Sequence, residues 1–212
     1  MTTLTADPTT DPTTTAPRRR TLVVLAVVAL AVFVAVMANG ADNESDSSIA
    51  TISGTYDYSE TVAQLMSYAA MALCGLLVFF GVGLRAALRS RRPTWVADVP
   101  MLGFVVLGLT FAGWAVSGLA MWHAVDQGED AAVRALNFAD TANFLPLMMA
   151  MVCIYAGSGI AGLASGTLPK WLAVASVALG CLAPLGPLAF APAMLLPIWL
   201  VVAAATVRVG SD

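Results

Sequence analysis

The sequence predicts an all-α membrane protein: a polytopic bundle of six transmembrane spans with both chain ends in the cytoplasm. Three observations predict it. Hydrophobic residues make up 59% of the 212 and charged residues only 11%, with a mean hydropathy of +0.83. Soluble domains carry about 25% charged residues, so the solvent for most of this chain is lipid. The apolar residues fall in blocks of roughly 20, the length that crosses a hydrocarbon core of about 30 Å. With the N-terminus inside, Arg18, Arg19, Arg20, Arg85, Arg89, Arg91, Arg92, Lys170 and Arg208 are cytoplasmic, and only Arg134 of the ten basic residues is outside, as the retention of basic loops requires.

Taken in order, residues 1–20 form a cytoplasmic tail. The stretch "MTTLTADPTTDPTTTAP" is rich in Thr and Pro and too polar to offset the entropy of ordering. The transmembrane domain, 21–208, opens with an uncharged span at about 21–39, directly after three arginines. Its basic start, apolar middle, Ala38 and Gly40 also fit a signal peptide. The apolar run exceeds the 7–15 residues usual for a signal core, which favours an uncleaved anchor; cleavage would leave five helices in the same orientation. Uncharged spans follow at about 61–84, 99–122 and 141–164. The last apolar block is too long for one helix and is interrupted at "APLGPLAFAP", where Pro184, Gly186 and Pro187 break the helical ladder. It therefore divides into spans at about 171–186 and 189–207, with a cytoplasmic C-terminus at 209–212.

Nine of the thirteen acids lie in the outer segments: Asp42, Glu44, Asp46, Asp57, Glu60, Asp126, Glu129, Asp130 and Asp140. Asp57 with Glu60, and Asp126 with Glu129, have the spacing of helix-start capping boxes. Asp130 and Arg134 are four apart, which predicts a short amphipathic helix running into the fourth span.

Ionisable residues inside the membrane would be the best pointer to transport, because each is costly there; the six spans contain none. The polar residues that could line an outward-facing cavity are Gln64, Tyr68, Ser117, Asn143 and His123, the only histidine. Interhelical hydrogen bonding is the plainer role for them. A metal site would need three or four converging ligands. His123, Asp126, Asp140 and Glu60 have no such spacing, so no metal and no cofactor is expected. Cys74, Cys153 and Cys181 are too far apart for a disulfide framework or zinc site. Met148, Met149 and Met151 suit gap-filling better than copper binding. Trp122 fits an outer aromatic belt, and Trp95 and Trp171 an inner one. No nucleotide-binding loop, nucleophile elbow or metalloprotease motif occurs, and no enzyme activity is expected.

Small residues describe packing. Ser158, Gly162 and Gly166, with Ala150, share one register of the fourth span and predict a close-approach face. Gly103, Gly108, Gly113 and Gly118 recur every five residues, which rotates around a helix and forms no groove. Pro146, Pro192 and Pro197 predict kinks.

The stretch "VRALNFADTANFLPLMMAMVCIYAGSGIAGLASGTLPKWLAVASVALG", with Leu168-Pro169-Lys170-Trp171-Leu172 opening a span, and "GLRAALR" at residues 83–89, resemble a group of multi-spanning membrane proteins common in actinobacteria, a domain of unknown function. The resemblance covers roughly residues 20–208 and implies a fold and location without site residues. Nine Arg against one Lys suit a GC-rich genome. The reading is a multi-pass plasma-membrane protein, an accessory or structural component that contacts the lipid bilayer, another membrane protein and no nucleic acid. The alternative is a small transporter or sensor with an outward-facing polar cavity. Substrate and oligomeric state are not readable.

Overall fold

The computed structural model describes residues 19–39, 46–90, 95–185, 188 and 190–208. The Thr-rich stretch 1–18, Asp42, Glu44, Arg91, Arg92, Gly186, Pro187 and the end at 209–212 lie outside the described residues. The helices are α1 (Arg19–Asn39), α2 (Ile49–Thr55), α3 (Glu60–Arg89), α4 (Asp98–Asp126, preceded by a 3-10 turn at Trp95–Ala97), α5 (Asp130–Ala142), α6 (Phe144–Ser165), α7 (Lys170–Leu182) and α8 (Phe190–Thr206). Among the described residues there is no strand. Four stretches are long and apolar enough to cross a membrane: Arg19–Ala38, Glu60–Arg89, Trp95–Asp126 and Asp130–Ser165. Helices α7 and α8 are apolar but shorter.

Several local expectations are corrected. The segment 46–59 contains a helix, α2, whose N-cap Ser48 accepts a hydrogen bond from the Thr51 amide at 3.2 Å. The capping positions of α3 and α5 are Ser59 and Glu129, neither side chain caps, and Asp126 ends α4. No Asp130–Arg134 ion pair forms; among the described residues the ion pairs are Arg85–Asp98 and Arg89–Asp98. Helix α5 is held instead by burying Val133 in the apolar cluster with Ile52 and Met121. The fourth span does not start as one helix at Thr141: a turn at Asn143 separates α5 from α6. Pro146 falls in the first turn of α6, where its missing N–H is tolerated, so it starts a helix rather than kinking one. Pro197 is inside α8. Cys74 and Cys153 are half-buried, whereas Cys181 is exposed.

Contacts fix the registers. Helices α3 and α4 are antiparallel: Arg85 and Arg89 meet Asp98 at one end, Ser67 Oγ donates to the Ala115 carbonyl at 3.0 Å, and Trp122 Nε1 donates to the Tyr58 carbonyl at 2.8 Å at the other. The α5–α6 pair runs antiparallel to α4. Gly157 faces Pro100 and Gly103 faces Cys153 and Ile154. Further along, Asn143 Nδ2 donates to the Thr110 carbonyl at 3.1 Å and Ser117 Oγ to Asp140 Oδ1 at 2.6 Å. Helix α1 joins the core through Leu22, Ala26, Ala29 and Phe33, and the Arg19 guanidinium donates to the Ala205 carbonyl. Helices α7 and α8 complete the far side. The Tyr155 hydroxyl donates to the Pro192 carbonyl at 2.7 Å, and Trp199 Nε1 donates to Ser176 Oγ at 2.8 Å.

The bundle thus has a basic end, with Arg85, Arg89, Lys170 and Arg208, and an acidic end, with Asp57, Asp126, Asp130 and Asp140. Along α4 the distance from Asp98 to Ser117 is roughly 28 Å at 1.5 Å per residue, close to a hydrocarbon thickness of about 30 Å. Phe33 of α1 lies on Phe111 with ring centroids 5.9 Å apart, so α1 ends near the level of Ser117. At 29 residues α4 is about 44 Å long. It therefore overhangs that level by a few turns, and α3 does likewise. Between the ends the bundle is filled: Leu77, Phe80, Phe104, Leu107 and Ile154 are each at most 1% exposed.

The five-residue glycine spacing of α4 now has a physical account. A five-residue step turns about 140° around a helix, so successive glycines face different neighbours. Gly103 admits α6, Gly108 admits Cys74 of α3, Gly113 admits Asn143, and Gly118 faces open space. The α6 stripe is used within the chain. A Cβ on Gly162 would lie 2.8 Å from Leu168, and Ser158 is fully buried with no hydrogen-bond partner for its Oγ among the described residues. Gly166 caps α6 at φ 69°, a left-handed conformation that suits glycine.

Candidate site at the acidic end

Where α3 and α4 pass the level of Ser117, they carry a cap made of α2, the Tyr56–Tyr58 segment and α5. Ile52, Tyr56, Met121, Ala124 and Val133 form a small apolar cluster separate from the main core. That cluster explains why α2 exists at all. Seven residues are too few for an independent helix, and Ile52 gains its burial only against α4 and α5.

The polar residues expected to share a cavity do not converge. Gln64 donates to Glu60 Oε1 at 3.0 Å on the exposed side of α3, and Tyr68 is 70% exposed. His123 is exposed, its ring set edge-on to Trp122 at 5.0 Å. Ser117 and Asn143 do share the α4–α5 seam, bonded to Asp140 and to the Thr110 carbonyl. Both are occupied in joining helices. Among the described residues no three of His, Cys, Asp and Glu group as metal ligands.

A different set comes together instead. A cleft of about 300 Å³ opens at the acidic end, lined by Ser53, Tyr56, Asp57, Tyr58, Trp122 and Asp126 among others. Tyr56 and Tyr58 stand on either side of Asp57 with ring centroids 5.9 Å apart. The indole N–H of Trp122 is committed to the Tyr58 carbonyl, which fixes the ring at the wall. Asp57 and Asp126 are exposed at the rim. Asp140 lies below. Helix α6 carries no charged residue while α5 carries three, Asp130, Arg134 and Asp140, so the uncharged part of the Asp130–Ser165 stretch is α6 and this carboxylate precedes it.

Electrostatics follow from burial without a cation. Burial pushes the Asp140 carboxyl above its ordinary 3.8, and the Ser117 hydroxyl opposes this in part. Burial raises the Tyr56 phenol, with the Asp140 charge and then Tyr58 adding to the rise, and burial raises Tyr58 as well. Both phenols are therefore neutral hydroxyls at physiological pH. Sequence reasoning passed over Tyr56 and Tyr58 because it weighed the segment by its acids; the available signal was the pattern Tyr-Asp-Tyr opposite a Trp near the end of the next span.

No family model, characterised protein or solved structure matches the chain.

Proposed function

We propose that this chain is a six-span plasma-membrane protein with its basic end and both termini in the cytoplasm, serving as an accessory or structural component of the membrane, and that it belongs with the actinobacterial group it resembles. The observation that carries the reading is the filled mid-section. Leu77, Phe80, Phe104, Leu107 and Ile154 close the interior at the depth a solute would have to cross, and the spans carry no ionisable residue there. Exposed apolar side chains such as Phe79 at 68% and Leu109 at 64% supply the lipid-facing surface, and a second membrane protein would have to dock on that surface, because the Gly162 stripe is covered by Leu168. The integration of α1 into the core supports a retained anchor.

Photo-crosslinkers at Phe79, Leu109 and Ile198, followed by recovery from native membranes, test the accessory role. One partner captured from one face is the expected result. A monomer crosslinked only to lipid at all three positions would overturn it and favour the transporter or sensor reading.

Topology has its own test, because α7 has only 13 residues, about 20 Å. Leu188→Cys should react with a membrane-impermeant maleimide from outside, in a background with the three native cysteines replaced. Protection from that reagent in intact cells, with labelling after the membrane is opened, would make α7–α8 a hairpin that re-enters from the cytoplasmic side and leave four full spans.

A further inference from the structure

The cleft at the acidic end offers one kind of chemistry. Tyr56 is 8% exposed and lines the cleft; no hydrogen bond ties up its hydroxyl among the described residues, and the hydroxyl is not sealed from solvent, since the buried side-chain oxygen without a partner among them is Ser158 Oγ. Asp57 and Asp126 stand at the rim, and neither has a basic partner within ion-pair distance among the described residues; both ion pairs there use Asp98. Trp122 has spent its only donor on the Tyr58 carbonyl, so what it can still offer is its π face. The cleft therefore presents aromatic surface, carboxylates and an unpartnered phenol oxygen, and no cationic side chain lines it. An anion would meet two carboxylates. A divalent metal would want several converging oxygen ligands, and no group of three His, Cys, Asp or Glu exists among the described residues. An ammonium group on a short apolar body satisfies all three features, since aromatic faces attract such cations and the volume is at the lower end of ligand pockets.

We propose that this cleft binds a small primary ammonium compound, its charge facing Asp57 and Asp126, its carbon chain against Tyr58 and Trp122, and one N–H donated to the Tyr56 hydroxyl oxygen. The inference needs only the cap and the cleft, and it is independent of the accessory reading.

Isothermal titration of the full chain in lipid nanodiscs with butylammonium chloride, at constant ionic strength against sodium chloride, tests it. Saturable binding is expected. Trp122→Leu should weaken it by roughly fivefold to thirtyfold, the range of an aromatic–cation contact, and Asp126→Asn by up to about fivefold, the range of an exposed ion pair. Tyr56→Phe separates the hydrogen bond from the rest, weakening butylammonium while leaving tetramethylammonium, which has no N–H, unchanged. Trp122→Phe keeps an aromatic face and should retain most of the affinity. If Trp122→Leu fails to fold by size exclusion, the exposed Asp126→Asn carries the test. Heat no different from sodium chloride, binding unchanged in Asp126→Asn and Tyr56→Phe, or tighter uptake of calcium chloride than of butylammonium would each overturn the proposal.

Discussion

The two ends of this bundle are built differently. Towards the basic end the helices touch through glycines. A Cβ on Gly157 would come within 2.8 Å of Pro100, one on Gly103 within 2.8 Å of Cys153, and one on Gly159 within 2.5 Å of the Ala173 carbonyl. Two of the basic residues there are paired, Arg85 and Arg89 both meeting Asp98. Towards the acidic end the contacts loosen. Gly113 meets only an Asn143 side chain and Gly118 meets nothing within 4 Å. Asp140 is half-buried with a single hydroxyl as its hydrogen-bond donor, and α3 and α4 run on past the level of Ser117 to carry a cap and a cleft. Close backbone approach is what stabilises helix association where lipid removes the hydrophobic driving force. Close packing is therefore concentrated at one end, and the other is left with room and with carboxylates that have no basic partner among the described residues, the condition of a surface that meets something.

The largest expected effect breaks the tight end. Gly159→Leu drives a side chain into the backbone carbonyl of Ala173, an atom that cannot swing aside, and overpacking costs roughly 1–3 kcal/mol, occasionally more. The variant should be lost from the monodisperse peak in size exclusion and should melt well below wild type. A Gly159→Leu protein as stable as wild type would mean that α6 and α7 are not in contact there.

A smaller effect is expected from Asp140→Asn at the loose end, and its sign is set by burial. Because the folded chain holds this carboxyl above 3.8, it binds the proton more tightly than the unfolded chain does. Stability then falls as pH rises through that window and stays lower above it. The asparagine removes the charge and can still accept from Ser117. The variant should melt above wild type at neutral pH, with the gap closing as pH falls towards 3.8. Melting curves across that range decide it, and parallel curves for the two proteins would show that Asp140 is solvated in the folded state.

These two sites also mark what could be read from the sequence. Composition and the uncharged blocks gave the all-helical, membrane-embedded class, and the basic residues sorted to one end because charge is legible one residue at a time. Faces were not legible. In lipid the outward and inward sides of a helix are both apolar, so α4 and α6 have no stripe from which to tell core from surface. Gln64 and Tyr68 were placed in a cavity by their depth alone, and in the structure they point away from it. Helix α2 was missed because its seven residues, with Ser, Thr and Gly among them, carry little helical preference, and it is held by the Ser48 cap and by burial of Ile52 against Val133 and Met121. The break at Asn143 was hidden for a related reason: its side chain ends α5 by bonding across to the Thr110 carbonyl, a partner 33 positions earlier in the chain.

The smallest effect is the sharpest test of the comparison. Gly118 sits in mid-helix on α4, where glycine carries a backbone entropy cost that alanine avoids, roughly 0.5–1 kcal/mol. Nothing lies within 4 Å of a Cβ there, so no contact opposes the gain. Gly118→Ala should raise the melting temperature slightly and leave the shape of the transition unchanged. The same change at Gly103 should do the reverse, because the space is filled by Cys153 and Ile154. A loss at both positions would mean that the helices close as tightly at the level of Ser117 as at the basic end, and the room beneath the cap would then not exist in the folded protein.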